Sequence, residues 1–344
     1  MPTESRRVML VGHYPTGALE RSWCAAFEAL RWQVHSFDLI QAVNDHCRGG
    51  RFGRLFNAFV PVEPWIRKAN RDLILAALES QPDLVVSFGH YPLRVGALAQ
   101  IRAATDAALV HVWPDTLLNW RSDLTPALPL YDLLATYSRA TVPLFQALGA
   151  QRAAWVPLGG DPELHAPPVE WIESPLTQDI EVSFVGGWRS EREAVLKQLD
   201  KFDLRIWGPD WGRRSSDKEF IRRTWQGRAL YGREFTEVVA RSKISLNIID
   251  PTNHPAANMR FFEIPTARGL QVCSACPEME DEFRHDEHLF YYKSPGELPD
   301  LVRSLLDDGT LRARVALSGH KKTLAEHTYL HRARQILELL DLNT

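Results

Sequence analysis

The sequence predicts an α/β protein made of two doubly wound parallel-sheet domains in tandem. Three observations predict it. Through the first half, short apolar runs alternate with segments of helical periodicity at the spacing of βαβ units. From Val156 to Gln178 the alternation stops, and Pro157, Pro162, Pro167, Pro168 and Pro175 leave little room for helix. At Asp179 the alternation begins again. The expected division is a first domain over 1–165, a hinge within 163–178, a second domain over 175–326 and a last helical segment over 327–344. With 344 residues, 45% hydrophobic and 24% charged, the chain can fill two cores of ordinary globular composition.

In the first half, Arg7–Gly12 reads as the opening strand, and Leu19, Trp23, Ala26, Phe27 and Leu30 follow helical spacing. The loop between them, Gly12-His13-Tyr14-Pro15-Thr16-Gly17, is not G-x-G-x-x-G, which removes the main support for a nicotinamide site. Val34–Phe37 is a second strand. Asn44–Val62 breaks the rhythm, mixing Arg48, Arg51 and Arg54 with Phe52, Phe56 and Phe59. It admits an acceptor-binding flap or a membrane-touching surface, and the adopted reading is a solvated, partly buried connection. A helix through Asn70–Leu78 and strands over Asp83–Gly89, Ala107–Trp113 and Asp132–Tyr137 complete the first domain. His13, His90 and Asp115 each fall just past a strand end, where open α/β sheets bind ligands. As groups able to move protons they are the candidate catalytic residues, with structural roles in loops as the alternative.

The second half restarts with a strand over Asp179–Val185, followed by Gly186-Gly187-Trp188-Arg189, which opens a helix. Glycines let a backbone approach a phosphate, and Arg189 or Arg192 can pair with one. A second strand ends at Trp207. Arg213, Arg214, Arg222 and Arg223 add local positive charge that meets either a diphosphate or water. A helix over Glu234–Arg241, a strand over Ile244–Ile249 and a loop carrying His254 follow. Leu289–Tyr292 is the last strand, and Ser294-Pro295-Gly296-Glu297 is a capping box with proline at the first helical position. Leu311–Ala325 is helical, and Leu330, Ala333, Ile336, Leu337 and Leu340 form one stripe of a final helix.

The most informative stretch is Asn258-Met259-Arg260-Phe261-Phe262-Glu263-Ile264-Pro265-Thr266-Ala267-Arg268-Gly269, set between two strands. As a crossover helix it starts with an amide, a guanidinium and a carboxylate, and Gly269 is the expected C-terminal cap. Met259, Phe262 and Ile264 are expected to face the sheet, with Arg260 and Glu263, three residues apart, on the other edge. A helix N-terminus with an arginine is an anion site, and a carboxylate one turn on accepts from sugar hydroxyls. Together they suit a nucleotide's pyrophosphate and ribose. The alternative is a surface Arg–Glu pair on an ordinary helix.

Charge and cysteine usage narrow the classes. A net charge of −3 supplies no global field for nucleic acid or an anionic membrane. No apolar run reaches the length of a transmembrane segment, and Met1–Arg7 lacks a secretory apolar region, so a cytoplasmic protein is expected. Cys273-Ser274-Ala275-Cys276 has CxxC spacing, but no second pair completes a zinc site, so it reads as small residues in a βα turn. No Asp-x-Asp pair sits at a strand end, so neither metal nor cofactor is expected.

The pattern N-x-R-x-F-E-x-x-x-x-x-G at Asn258–Gly269, an apolar run, Glu297-Leu298 and His327-Thr328-Tyr329-x-x-Arg332 resembles the CgeB-like branch of the GT-B glycosyltransferases. The similarity is clearest over 180–340 and weaker around Val112-Trp113-Pro114-Asp115 and Tyr131–Pro167. It implies two Rossmann-like domains facing across a cleft, with the terminal helix packed back on the first. It also implies metal-independent transfer of a hexose from a nucleoside-diphosphate sugar to an acceptor hydroxyl, on a glycan, lipid-linked carrier, small molecule or protein. In that group the helix glutamate binds the donor ribose, a role carried to Glu263. The Gly187–Arg189 loop would lie against the donor phosphates, and Trp207 would either stack on the base or belong to the core. Retaining relatives place a second glutamate where this chain has Pro255, which leaves stereochemistry open. Two alternatives keep the architecture: a non-catalytic nucleotide-sugar-binding protein, or a nucleotide-sugar epimerase.

Overall fold

A computed structural model describes residues 5–169, 171 and 178–342. Part of the expected hinge, at 170 and 172–177, lies outside the described residues. The chain forms two compact units: Met1–Pro157 together with Arg332–Thr344, and Leu158–His331.

Unit 1 holds a six-stranded sheet of β1 (Arg7–Gly12), β2 (Gln33–Asp38), β3 (Leu84–Phe88), β4 (Ala108–Trp113), β5 (Leu133–Thr136) and β6 (Ala153–Trp155). Its order is β2-β1-β3-β4-β5-β6, and every pairing is parallel. β3 is buried along its whole length, which is why it reads as an apolar run interrupted only by Ser87. On one face, Met9, Val85 and Leu109 pack against Leu39 and Val43, Ile66 and Leu73, and Leu98 and Ile101 from three helices. β6 was not anticipated; three residues are too short to show a period. The last helix, Tyr329–Leu339, buries Ala333, Ile336 and Leu337 as its stripe predicts, and Gln335 donates to the Trp155 carbonyl at 2.9 Å.

One segment of unit 1 differs from expectation. Asn44–Val62 is solvated, with Asn44, His46, Cys47 and Asn57 partly buried, but it has regular structure that was not expected. It contains a helix, Gly50–Phe59, in which Gly53 alone is buried while Phe52, Leu55, Phe56 and Phe59 face solvent.

Unit 2 holds a five-stranded sheet of β7 (Ile180–Val185), β8 (Leu204–Trp207), β9 (Ser242–Asn247), β10 (Gln271–Ser274) and β11 (Phe290–Tyr292). The order is β11-β10-β9-β7-β8, again parallel throughout. β9 begins and ends two residues before the predicted Ile244–Ile249, because Ser242 and Lys243 extend the ladder and the chain turns away after Asn247. Cys273 and Cys276 are buried free thiols.

The Met259–Thr266 helix follows β9. Asn258 caps it, its side-chain oxygen accepting from the Phe261 amide at 3.1 Å. At the other end the left-handed residue is Arg268, φ 61°, and not Gly269. The Gly269 amide closes the Schellman bond on the Ile264 carbonyl at 3.0 Å, and the Arg268 amide bonds Pro265 at 2.9 Å. Glycine is needed at 269 for space, since a Cβ there would lie 2.3 Å from Val239 Cγ1. The expected two-sided helix is also corrected: residues from Phe261 to Thr266 are all buried, and Met259 is less so.

Candidate functional site

In each sheet the strand order reverses once, and the loops leaving the two strands at that reversal frame the crevice where such sheets bind ligands. In unit 1 the reversal lies between β1 and β3. His13 follows β1 and His90 follows β3, and both rings approach Tyr91, with centroids at 6.3 and 6.2 Å. His13 Nδ1 lies 3.1 and 3.2 Å from the two carboxylate oxygens of Asp38. A carboxylate accepts, so Nδ1 carries a hydrogen, and in the neutral imidazole Nε2 is then the acceptor nitrogen. Asp38 is itself fixed, accepting from Gln41 N at 2.8 Å as the cap of the next helix and from Tyr14 N at 3.2 Å. Sequence reasoning missed Asp38, though its place between a strand and a helical run is an N-cap signal.

Glu20 was missed as well. It is buried beneath the His13 loop, accepting from the Tyr91 hydroxyl at 2.6 Å and, more weakly, from His13 N at 3.5 Å. Gly12 makes room for it, because a Cβ there would fall 2.6 Å from Glu20 Cγ. Burial raises the Glu20 carboxyl above the usual carboxylate range, partly offset by the Tyr91 hydrogen bond. Its folded-state proton affinity therefore exceeds that of the unfolded chain. Its contribution to stability is full below the ordinary carboxylate pKa and is lost as pH rises through the raised one. Glu20→Gln is expected to raise the melting temperature at neutral pH, with the gain shrinking towards pH 4. A gain independent of pH in thermal melts would contradict the ionised-and-buried reading.

Asp115 is placed differently. Its two oxygens are taken up locally, by Thr116 N and Asn119 Nδ2, both at 2.7 Å. His90 instead lines a cavity of about 360 Å³ with Tyr91, Arg54, Asn57, Arg94 and Asp123. Arg94 is paired with Glu63 at 2.6 Å, so Arg54 is the lining cation left without a carboxylate among the described residues.

In unit 2 the reversal lies between β7 and β9. The loop after β7 is pinned to the loop after β8: Gly186 N donates to the Trp207 carbonyl at 2.9 Å and Trp188 N to Pro209 at 3.1 Å. Gly208, φ 145°, permits this, since a Cβ on it would stand 2.0 Å from the Gly186 carbonyl oxygen. Arg192 donates to the Gly187 carbonyl at 2.9 Å, while its buried Nε has no partner among the described residues. Arg189 reaches Asp250 at 3.3 Å and is otherwise exposed. Trp207 is only 7% exposed and packs with Val185, Leu230 and Phe235. Of the two readings held open for it, this burial favours the core one.

Arg260 and Glu263 come together as the helical spacing requires. The guanidinium contacts the Glu263 carboxylate, donates to the Val185 carbonyl at 3.1 Å and lies 4.4 Å over the Phe235 ring. Glu263 is 4% exposed, so the surface-pair alternative fails. Its other oxygen lies 3.9 Å from His165 Nε2. His165 is buried, its Nδ1 lacks a partner among the described residues, and burial pulls its pKa down. No sequence signal marked it, since it sits among prolines almost a hundred positions from Glu263. The Asn258 side-chain oxygen accepts from the Phe261 amide and from Asn247 Nδ2 at 3.0 Å, and its Nδ2 donates back to Asn247 Oδ1 at 2.9 Å. It positions the helix.

The back of that helix is braced by distant parts of the chain. His327 stacks on Phe262, with centroids 5.9 Å apart, and packs on Phe283. Gly160 bonds His327 and Tyr329 through its backbone, at 2.8 and 3.1 Å. Its missing side chain admits Thr266, whose Oγ1 would otherwise stand 2.1 Å from a Cβ. The His-Thr-Tyr pattern thus supports the Arg260–Glu263 pair from behind.

The chain has the GT-B fold, two parallel-sheet α/β domains. It superposes on sucrose-phosphate synthase from Thermosynechococcus elongatus with a TM-score of 0.66 and 13% identity, covering 98% of each chain. HepE from Anabaena, in complex with UDP-glucose, gives 0.64 and 16% over 98% of this chain and 100% of that one. A glycosyltransferase from Rickettsia africae gives 0.66 and 11% over 99% and 100%. Residues 189–338 match the family model described as glycosyl transferase-like, a stretch that includes Arg189, Asn258, Arg260 and Glu263. No curated protein matches the chain in sequence.

Proposed function

We propose that this chain is a glycosyltransferase of the CgeB-like branch that moves a hexose from a nucleoside-diphosphate sugar to an acceptor hydroxyl. The observation that carries the reading is the buried Arg260–Glu263 pair on a capped helix at the unit 2 reversal, next to the Gly186–Arg189 loop. Glu263 accepts from the ribose hydroxyls. Arg260 turns from Glu263 towards the diphosphate, which Arg189 and the helix N-terminus also neutralise as it departs. HepE, a structural neighbour, holds UDP-glucose, which makes UDP-sugars the first donors to test.

In unit 1, His13 takes the acceptor proton at Nε2 while Asp38 stabilises the imidazolium that forms. Asp115, one of the three candidates from sequence, keeps its carboxylate in its own turn and has the lesser part of orienting Thr116 and Asn119. His90 lines the acceptor cavity. With proline at 255 and a histidine–carboxylate pair present, inversion at the anomeric carbon is the proposed outcome.

The test is turnover of UDP-hexoses by the full chain, alone and with hydroxyl acceptors. Release of UDP that rises with acceptor, with a product of inverted anomeric configuration by NMR, is expected. Isomerised sugar without acceptor would point to an epimerase. Tight UDP-sugar binding with no turnover across acceptors would point to a binding protein.

A further inference from the structure

The Gly50–Phe59 helix is built inside out. Phe52, Leu55, Phe56, Phe59 and Val60 recur at the spacing of one helical stripe. A stripe of this kind ordinarily faces a core. Here Phe52 is 85% exposed, Phe59 79%, Leu55 59%, Phe56 56% and Val60 53%. The side turned to the protein carries Arg54, Asn57 and Ala58, which line the His90 cavity, while Gly53, the one buried residue, sits against the turn that enters the helix, where a Cβ would stand 1.8 Å from the Arg48 carbonyl oxygen. The apolar side chains of the helix have nothing to cover within unit 1.

Charge identifies what covers them. Arg48, Arg51 and Arg54 are exposed, and none is paired with a carboxylate among the described residues. From 46 to 62 the sequence contains no Asp or Glu, in a chain whose net charge is −3. Bulky apolar side chains along one face, with arginines beside them and no acid, match the interfacial zone of a bilayer carrying anionic headgroups. Guanidinium groups pair with lipid phosphates in forked geometry while the phenylalanines enter the acyl boundary. A protein partner of the same chemistry would need an acidic, apolar groove.

We propose that the Gly50–Phe59 helix is a membrane-docking element that seats this protein on anionic lipid surfaces. Docking is peripheral: no helix among the described residues is long and apolar enough to cross a membrane. Because Arg54, Asn57 and Ala58 of this helix also line the His90 cavity, docking would bring that cavity next to the lipid surface.

The test is co-sedimentation of the full chain with vesicles of phosphatidylcholine containing about one third phosphatidylglycerol, against phosphatidylcholine alone. Binding to the anionic vesicles, weakening as salt is raised, is expected. Phe52→Ser with Phe59→Ser should lower the bound fraction about tenfold or more. Arg48→Gln with Arg51→Gln should remove most of the salt-sensitive part. All these residues are exposed, so melting temperature and UDP affinity should stay at wild-type values in both variants, which separates failure to dock from failure to fold or to bind donor. Absence of wild-type binding at low salt would overturn the proposal. So would equal binding by wild type and the phenylalanine variant. A phenylalanine variant that changed oligomeric state while wild type ignored vesicles would reassign the stripe to self-association.

Discussion

Glu263→Gln is expected to weaken UDP binding by about 1.5–3 kcal/mol, the range for hydrogen bonds to a charged group, or about tenfold to a hundredfold in Kd. The glutamine keeps the shape of the side chain and one acceptor oxygen, so the loss reports the missing charge. Glu263→Ala carries a second cost. The alternative left open by the sequence, a surface Arg–Glu pair, would make that cost small. The structure instead buries the carboxylate against Arg260, with His165 close by. Removing one partner leaves a guanidinium over Phe235 without its counter-charge, a loss at the lower end of about 3–5 kcal/mol because Arg260 retains some exposure. Calorimetry with UDP and denaturant melts on both variants separate the effects. Glutamine binding UDP as tightly as wild type would remove Glu263 from the donor site.

His13→Ala is expected to lower turnover by about two orders of magnitude or more, the usual share of a general base, while UDP affinity stays near wild type. Asp38→Asn should fall in the same direction by a smaller factor, since an amide can still touch the ring but no longer stabilises its charged form. Asp115→Asn provides the contrast. Its carboxylate is spent on Thr116 and Asn119, so turnover should change far less than in His13→Ala. The opposite ranking, with Asp115→Asn nearly inactive and His13→Ala active, would restore Asp115 as the base. Product with retained configuration would leave neither residue that task.

How much of this could be read in the sequence depended on the range over which each signal acts. Strands such as β3 and β7 were legible because burial makes them short and mostly apolar, interrupted only by Ser87 in β3 and by Glu181 and Ser183 in β7. The Asn258–Glu263 arrangement was legible because a cap and an i,i+3 pair are local. His13 and His90 were found by their position past strand ends. Asp38 and Glu20 were not, because what they do depends on the pairing of β1 with β2 and on a contact to Tyr91 from another unit of the fold's repeat. His165 lay beyond reach for the same reason: only the folded chain brings it to Glu263. The Gly50–Phe59 helix was missed because Asn44–Val62 was read as a solvated, partly buried connection, and only the folded chain shows an apolar stripe turned outward.

The make-up of unit 1 bears on how the chain comes to be assembled. Residues 5–157 cannot finish that unit by themselves, because the stripe of Ala333, Ile336 and Leu337 belongs to it and Gln335 and Arg6 tie the terminal helix in place at Trp155 and Leu342. Synthesis runs from the N-terminus, so the first sheet emerges from the ribosome well before its last helix exists. Unit 2, continuous from 158 to 331, is free to close first. The unit translated first is therefore the one completed last, and a nascent chain halted before residue 332 holds a partner-less apolar surface where chaperones would bind.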